Sequence, residues 1–341
     1  MNLLALSRYV PSDLPEMVRY QSLFSSSMSA KLLLILLPVM KLQGITVQNL
    51  TGTFIDTLKQ IYPDREIRQI LFILFDEYLG LTRSEVLLDP DRIITEQVAG
   101  NFITTLKKLA SGKPLQYILK KAWFGDLTLY VDEQVLIPRP ETEELCCLII
   151  RDLKKIKKAP LNILDIGTGS GCIAISLKRA FPDLHVTAMD NSTPSLKIAG
   201  INAQNCNTGI SFLLDDILKP HSLKDPEQYD LMVSNPPYVT DSDKKKMHHN
   251  VIDHEPATAL FVSDEDPLLF YKAIIRYTHQ KLKPGGKLYL EINERFGNET
   301  SDLLKYSGFE LVEVIPDLNG KDRFVTAVLK SRKAPRSKQR L

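Results

Sequence analysis

Residues 161–174 read LNILDIGTGSGCIA: an apolar run carried without a break into three alternating glycines and then into a second apolar run. Few folds accommodate that order. Ile and Leu bounded by glycine suit a strand buried on both faces. Gly167, Gly169 and Gly171 admit positive φ and leave the backbone open to close approach. A buried strand that turns straight into a helix belongs to a parallel sheet covered on both sides. The rest of the chain keeps that rhythm. Strands are predicted at 162–166, 185–189, 210–214, 229–234, 286–292, 309–315 and 323–329, with helices at 171–180, 193–206, 267–282 and 298–306. The fold class is therefore α/β, a seven-stranded, mostly parallel sheet, with the final strand predicted antiparallel.

Upstream the periodicity is helical. Residues 48–112 predict a small bundle with helices at 51–62, 64–79 and 93–110, the second ending at Gly80. Alternation around Gly125-Asp126 predicts a β-hairpin inside a linker spanning 113–140, and the catalytic-type domain then occupies 141–330. A length of 341 residues suits two domains. The formal charge is +2, but the tail at 331–341 carries five basic and no acidic side chains. Subtracting those five leaves −3 on the body, and the bundle holds seven basic against nine acidic residues. A clamp for DNA or RNA normally concentrates Lys and Arg on its folded part, so stable nucleic-acid binding is not expected. The bundle reads as a protein-binding or substrate-positioning module, or as a buttress for its neighbour.

The glycine turn has the spacing G-x-G-x-G rather than the G-x-G-x-x-G of dinucleotide enzymes, and no Gly-Lys-Ser/Thr follows, which excludes a phosphate loop. Asp165 precedes it, where a carboxylate would repel a pyrophosphate but attract an amino group. The N–H groups opening the next helix suit a carboxylate. Asp190 closes the second strand, where an acid accepts from both hydroxyls of a ribose. Asp215-Asp216 follow the third, within reach of an adenine amine. Acids at three successive strand ends behind such a turn fit S-adenosyl-L-methionine better than NAD.

The fourth strand ends in Ser234-Asn235-Pro236-Pro237-Tyr238. Two prolines remove two N–H donors and stiffen the turn. The Asn235 side chain and the Pro236 carbonyl then become two acceptors for the two hydrogens of a planar NH2 group, and Tyr238 offers a flat face to its π-system. Such a nitrogen is a weak nucleophile, so the site must align it and draw electron density onto it.

Ahead of the glycine turn, residues 135–144 read VLIPRPETEE. Together with GTGSG and NPPY this resembles the release factor glutamine methyltransferases, the HemK/PrmC family, over residues 48–329, including His254-Glu255-Pro256 and the stretch from Asp317 to Arg323. The resemblance implies a Rossmann-like class I methyltransferase with a helical N-terminal domain and a hairpin linker. It implies methyl transfer from S-adenosyl-L-methionine to the glutamine of the GGQ loop of class 1 peptide chain release factors, in translation termination. On that likeness Gly167, Thr168, Gly169, Ser170, Gly171, Asp190, Asp216, Ile217 and Asn235 serve the cofactor. Asn235, Pro236 and Tyr238 are the catalytic set. Pro237, Pro138, Arg139, Pro140 and Glu141 join them in holding the substrate, with the stretch from Pro138 to Glu143 as the pocket wall. The family often has Gly and Glu where Lys120 and Trp123 stand, commonly Gly at Asn293, and in some members an aromatic at Ile217. The rival reading is an N-methyltransferase acting on DNA adenine or rRNA guanine, which would have to flip its base. A degenerate, non-catalytic binding protein is the other rival.

Cys146, Cys147, Cys172 and Cys206 form no C-x-x-C pair, so no structural metal is expected and a reducing, cytoplasmic setting is. Residues 1–47 are read as a disordered or dispensable extension, with Met40 as a plausible start. The apolar run at 31–40 is too short to cross a bilayer, which leaves a short amphipathic membrane contact as the other reading. Lys244-Lys245-Lys246 with His248-His249 reads as a solvated mobile loop, with contact to an acidic partner or a ribosomal RNA surface as the other reading. His254 has no metal partner at ligand spacing, and the 331–341 tail is expected to be disordered. A monomer is expected.

Overall fold

The computed structural model describes residues 44–156, 161–245, 247 and 249–330. The apolar run at 31–40, the basic tail, Lys246 and His248 lie outside the described residues. The chain divides into two compact units at Gly112/Lys113.

The first unit holds β1 (Ile45–Thr46), α1 (Val47–Leu58), α2 (Asp64–Leu79), α3 (Arg83–Leu88), β2 (Ile93–Ile94) and α4 (Glu96–Ala110). α1 begins four residues earlier than predicted, because Thr46 and Asn49 form a reciprocal capping box. α2 matches its predicted bounds and stops where Gly80 turns left-handed at φ +66°. α4 starts at Glu96 and not at residue 93, because Ile93 and Ile94 pair with Thr46 and Ile45 as a short antiparallel ladder. α3 is absent from the sequence reading; six residues present too little periodicity to register. Phe54, Phe75 and Tyr78 converge on Phe102, with ring centroids 6.1, 4.9 and 5.2 Å away.

The second unit opens with α5 (Leu115–Leu119), the hairpin β3 (Ala122–Phe124) and β4 (Leu127–Leu129), and α6 (Pro140–Leu153). Gly125, at φ +56°, makes the turn of the hairpin. The α/β body follows as β5 (Asn162–Ile166), α7 (Cys172–Ala180), β6 (His185–Asp190), α8 (Thr193–Asn205), β7 (Ser211–Leu214) and β8 (Tyr229–Ser234). β9 (Val239–Thr240), α9 (Asp241–Lys244), α10 (His249–His254), α11 (Ala257–Leu260) and β10 (Phe261–Val262) form an excursion. α12 (Leu269–Lys281), β11 (Leu282–Glu291), α13 (Gly297–Tyr306), β12 (Phe309–Pro316) and β13 (Asp322–Leu329) complete it.

The seven-stranded sheet has the order β12-β13-β11-β8-β5-β6-β7, and β13 runs antiparallel to both its neighbours. Side chains alternate between two cores. Ile163, Leu231 and Val233 enter one with Leu145 and Ile149 of α6; Leu164, Met232 and Leu290 enter the other with Ile274 of α12. That two-sided burial is why the strands read as unbroken apolar runs. Strand order reverses at β5, with β6 on one side and β8 on the other, so the carboxyl ends of these strands frame a crevice at the topological switch point.

Candidate active site

Gly167 and Gly169 sit at φ +74° and +54°, and no atom lies within 4 Å of where a Cβ would project. Gly171, at φ +84°, differs: a Cβ there would meet Ile175 at 3.1 Å and Ala199 of α8 at 3.2 Å, so close helix packing requires glycine. The loop is tied down from beneath. The amides of Gly167 and Thr168 donate to the Met189 carbonyl, that of Gly169 to Asp190 Oδ2 at 2.9 Å, and that of Gly171 to the Thr168 carbonyl. Asn202 donates to the Ser170 carbonyl and to the Tyr130 carbonyl, both at 2.9 Å. With those amides engaged, the loop offers a ligand its bare Cα surface.

Asp165 lies under the loop, fully buried. Its Oδ2 accepts from Thr168 Oγ1 at 2.7 Å and from the Ala174 amide, while Oδ1 has no partner among the described residues. Burial raises its pKa to about 7. The acid expected to meet an amino group therefore braces the turn through Thr168 and does not line the crevice.

Asp190 ends β6 with both oxygens fixed by backbone, Oδ2 by Gly169 and Oδ1 by Ser192, each at 2.9 Å. Burial raises its pKa. Each oxygen keeps a lone pair for a further donor. The next two acids divide their roles. Asp215 accepts from the amides of Asp216, His221 and Ser222 and so shapes the loop after β7, while also reaching the crevice wall. Asp216 and Ile217 line the crevice.

The crevice encloses about 390 Å³, and its wall includes Gly167, Gly169, Asp190, Asp216, Ile217, Asn235, Pro236 and Pro237, along with Gln134, Leu136, Phe261 and Phe270. That size suits one small ligand, and acids around an open glycine turn suit an adenosine bearing a cationic amino-acid tail. The residues present fit S-adenosyl-L-methionine.

Of the residues singled out from sequence, Thr168, Ser170, Gly171, Tyr238, Pro138, Arg139, Pro140 and Glu141 are not among those lining the crevice. Thr168, Ser170 and Gly171 hold the loop's shape. Tyr238 turns its hydroxyl to Glu291 Oε1 at 3.0 Å. Arg139 is gripped by Glu255, which also accepts from the Ile137 amide.

Asn235 leaves β8 with Nδ2 donating to Thr142 Oγ1 at 3.0 Å, and Thr142 Oγ1 donates to Glu291 Oε2 at 2.8 Å. Among the described residues nothing donates to Asn235 Oδ1 or to the Pro236 carbonyl. Both remain available as acceptors. Asn293 donates through Nδ2 to the Tyr238 carbonyl at 3.1 Å and so adds a tether to this turn.

Curated relatives are matched over nearly their whole length. A release factor glutamine methyltransferase of Flavobacterium psychrophilum is 40% identical over 82% of this chain and 98% of its own length. The chain belongs to the release factor glutamine methyltransferase family. Its counterpart in Bacteroides thetaiotaomicron is 38% identical over 82% of this chain and 99% of its own. Residues 53–119 match the model of the PrmC N-terminal domain, and 146–262 that of the methyltransferase small domain. A solved protein-(glutamine-N5) methyltransferase (release factor-specific) from Alicyclobacillus acidocaldarius aligns at 27% identity over 59% of this chain and 99% of its own, with a TM-score of 0.37.

Thr142 falls within the 138–143 stretch expected to wall the pocket, but its bond to Asn235 was not legible in the sequence, and Glu291 was missed altogether. A signal for Glu291 was present: a lone carboxylate between Leu290 and Ile292 on a strand buried on both faces.

Proposed function

We propose that this protein transfers a methyl group from S-adenosyl-L-methionine to the side-chain amide nitrogen of the glutamine in the GGQ loop of class 1 peptide chain release factors. The cofactor supplies a sulfonium-activated methyl group that leaves without acid assistance. Gly167 and Gly169 give it an open floor, Asp190 takes the ribose hydroxyls, and Asp216 with Ile217 flanks the base.

Asn235 Oδ1 and the Pro236 carbonyl receive the two hydrogens of the glutamine NH2. These acceptors fix the plane of the amide and favour the positive charge that grows on nitrogen as the new bond forms. The rigid diproline turn keeps both in place before substrate arrives, which removes reorganisation from the chemical step. Tyr238, its hydroxyl anchored to Glu291, holds the far side of the turn. The observation that carries this reading is the pair of unengaged acceptors beside the open glycine turn.

The helical unit is assigned to docking the release factor. Residues 113–140, read from sequence as a linker, are part of the second unit and pack Phe124, Leu127 and Leu129 into its core. The protein acts as a cytoplasmic monomer without stable nucleic-acid binding. No helix among the described residues is long and apolar enough to cross a membrane. Radiolabelled methyl transfer to purified release factor, to its GGQ→GGA variant and to duplex DNA tests the assignment. Label in the wild-type factor alone supports it. Label in the GGA variant or in DNA overturns it.

A further inference from the structure

We infer that Thr142 and Glu291 are positioning residues that dictate which end of the Asn235 amide faces the substrate, an inference that rests on the methyl transfer proposed above. Thr142 sits in the first turn of α6, Glu291 ends β11 and Asn235 leaves β8, so three separate elements meet in one chain of hydrogen bonds.

The chain has a single polarity. An ionised carboxylate only accepts, and a threonine hydroxyl has one hydrogen. That hydrogen goes to Glu291 Oε2, so Thr142 Oγ1 can only accept from Asn235. The Asn235 amide must therefore turn NH2 toward Thr142 and Oδ1 away from it. Were the hydroxyl to reverse, Asn235 could rotate by half a turn, and its NH2 would oppose the NH2 of the substrate, donor against donor.

Glu291 is an expensive residue to keep here, since it is fully buried. Burial raises its pKa to about 7, against the lowering effects of the Thr142 and Tyr238 hydroxyls and of Arg323, with Glu141 opposing them. Tyr271 reaches only its backbone carbonyl, at 3.4 Å. A glutamine would fill the same space without the charge, but it would bring a donor and lose the fixed direction. The carboxylate supplies what an amide of the same shape lacks.

The test uses full-length enzyme, S-adenosyl-L-methionine and purified release factor, comparing Thr142→Val, Thr142→Ser and Glu291→Gln. Thr142→Val should lower kcat by ~30-fold or more, as for loss of a preorganised polar group, with a smaller change in KM. Calorimetry with S-adenosylhomocysteine should show affinity within about twofold of wild type, since the orientation of Asn235 acts on the substrate nitrogen. Thr142→Ser, which keeps the hydroxyl, should stay within about threefold. Wild-type kcat should fall as pH drops through about 7. Glu291→Gln should have low kcat and lack that limb. A Thr142→Val enzyme with wild-type kcat overturns the inference. So does a serine variant as slow as the valine one, which would point to methyl packing, or an acid limb unchanged in Glu291→Gln. Failure of the substrate reading looks different: the wild-type enzyme itself leaves the GGQ glutamine unlabelled, and the inference falls with it.

Discussion

Arg139 and Glu255, 116 residues apart in sequence, are joined by a hydrogen-bonded ion pair of 2.6 Å in which the arginine side chain is 29% exposed and the glutamate 1%. The pair is asymmetric, so its two halves are not equivalent targets. Arg139→Met strands a buried carboxylate with the Ile137 amide as its remaining donor among the described residues, and should destabilise the protein by about 3 kcal/mol. Glu255→Gln leaves an arginine that reaches water and should cost about 1 kcal/mol. Urea denaturation measures both; equal losses would show that burial of the glutamate does not govern the pair. Gln134 and Leu136 of the same segment wall the crevice, so the arginine variant should also weaken S-adenosylhomocysteine binding.

Asn235→Ala removes one of the two acceptors while leaving the glycine turn untouched. Turnover should fall ~100-fold or more, with cofactor affinity little changed. Single-turnover methylation alongside calorimetry separates the two quantities. Near-normal turnover would eliminate the acceptor role.

Stability should decline as pH rises toward neutrality. Asp165 and Glu291 both have native pKa values raised to about 7 by burial, above the ordinary 3.8 and 4.5. Between those limits the native state holds protons that the unfolded chain has released. Their contribution is therefore complete below about pH 4 and is lost as pH rises through about 7. Asp165→Asn should flatten this dependence by removing one of the two groups. Denaturation midpoints taken at half-unit steps from pH 5 to 8 would reveal it, and a profile unchanged in the variant would mean that Asp165 titrates normally.

Strands β5 and β8 were legible to the residue, because Gly167 and the Pro236-Pro237 pair punctuate apolar runs that have no other boundary. The start of α1 was not, since Thr46 and Asn49 look like loop residues until their reciprocal hydrogen bonds are seen. Asn235 could be found from sequence because prolines mark its turn. Its orientation could not, because Thr142 and Glu291 lie 93 residues before it and 56 after it, and only the sheet order brings them together. The wall of the crevice at Gln134 and Leu136, against the expected 138–143, likewise depends on how Glu255 fastens the segment.

Lys120 closes α5 in the left-handed region at φ +54°, a conformation that favours glycine. A side chain there is strained by ~1 kcal/mol, offset in part because glycine gains more freedom on unfolding. Lys120→Gly should therefore raise the stability of the second unit by up to ~1 kcal/mol. The Lys120 ammonium lies 5.8 Å from the Tyr130 ring centre, at the limit of a useful attraction, so little is lost with it. A lower thermal midpoint in the variant would show that this contact outweighs the backbone strain.

Phe102 is the hub of the helical unit, fully buried and met by the rings of Phe54, Phe75 and Tyr78. Phe102→Ala should cost that unit ~3–5 kcal/mol, enough to unfold a small bundle. The second unit has its own cores and should retain S-adenosylhomocysteine affinity. If the bundle docks the release factor, KM for the whole factor should rise at least tenfold while methylation of a short GGQ peptide keeps its rate. Hydrogen exchange over residues 47–110 verifies that the bundle has opened. An opened bundle with unchanged KM for the whole factor would remove docking from its duties and leave it as scaffolding.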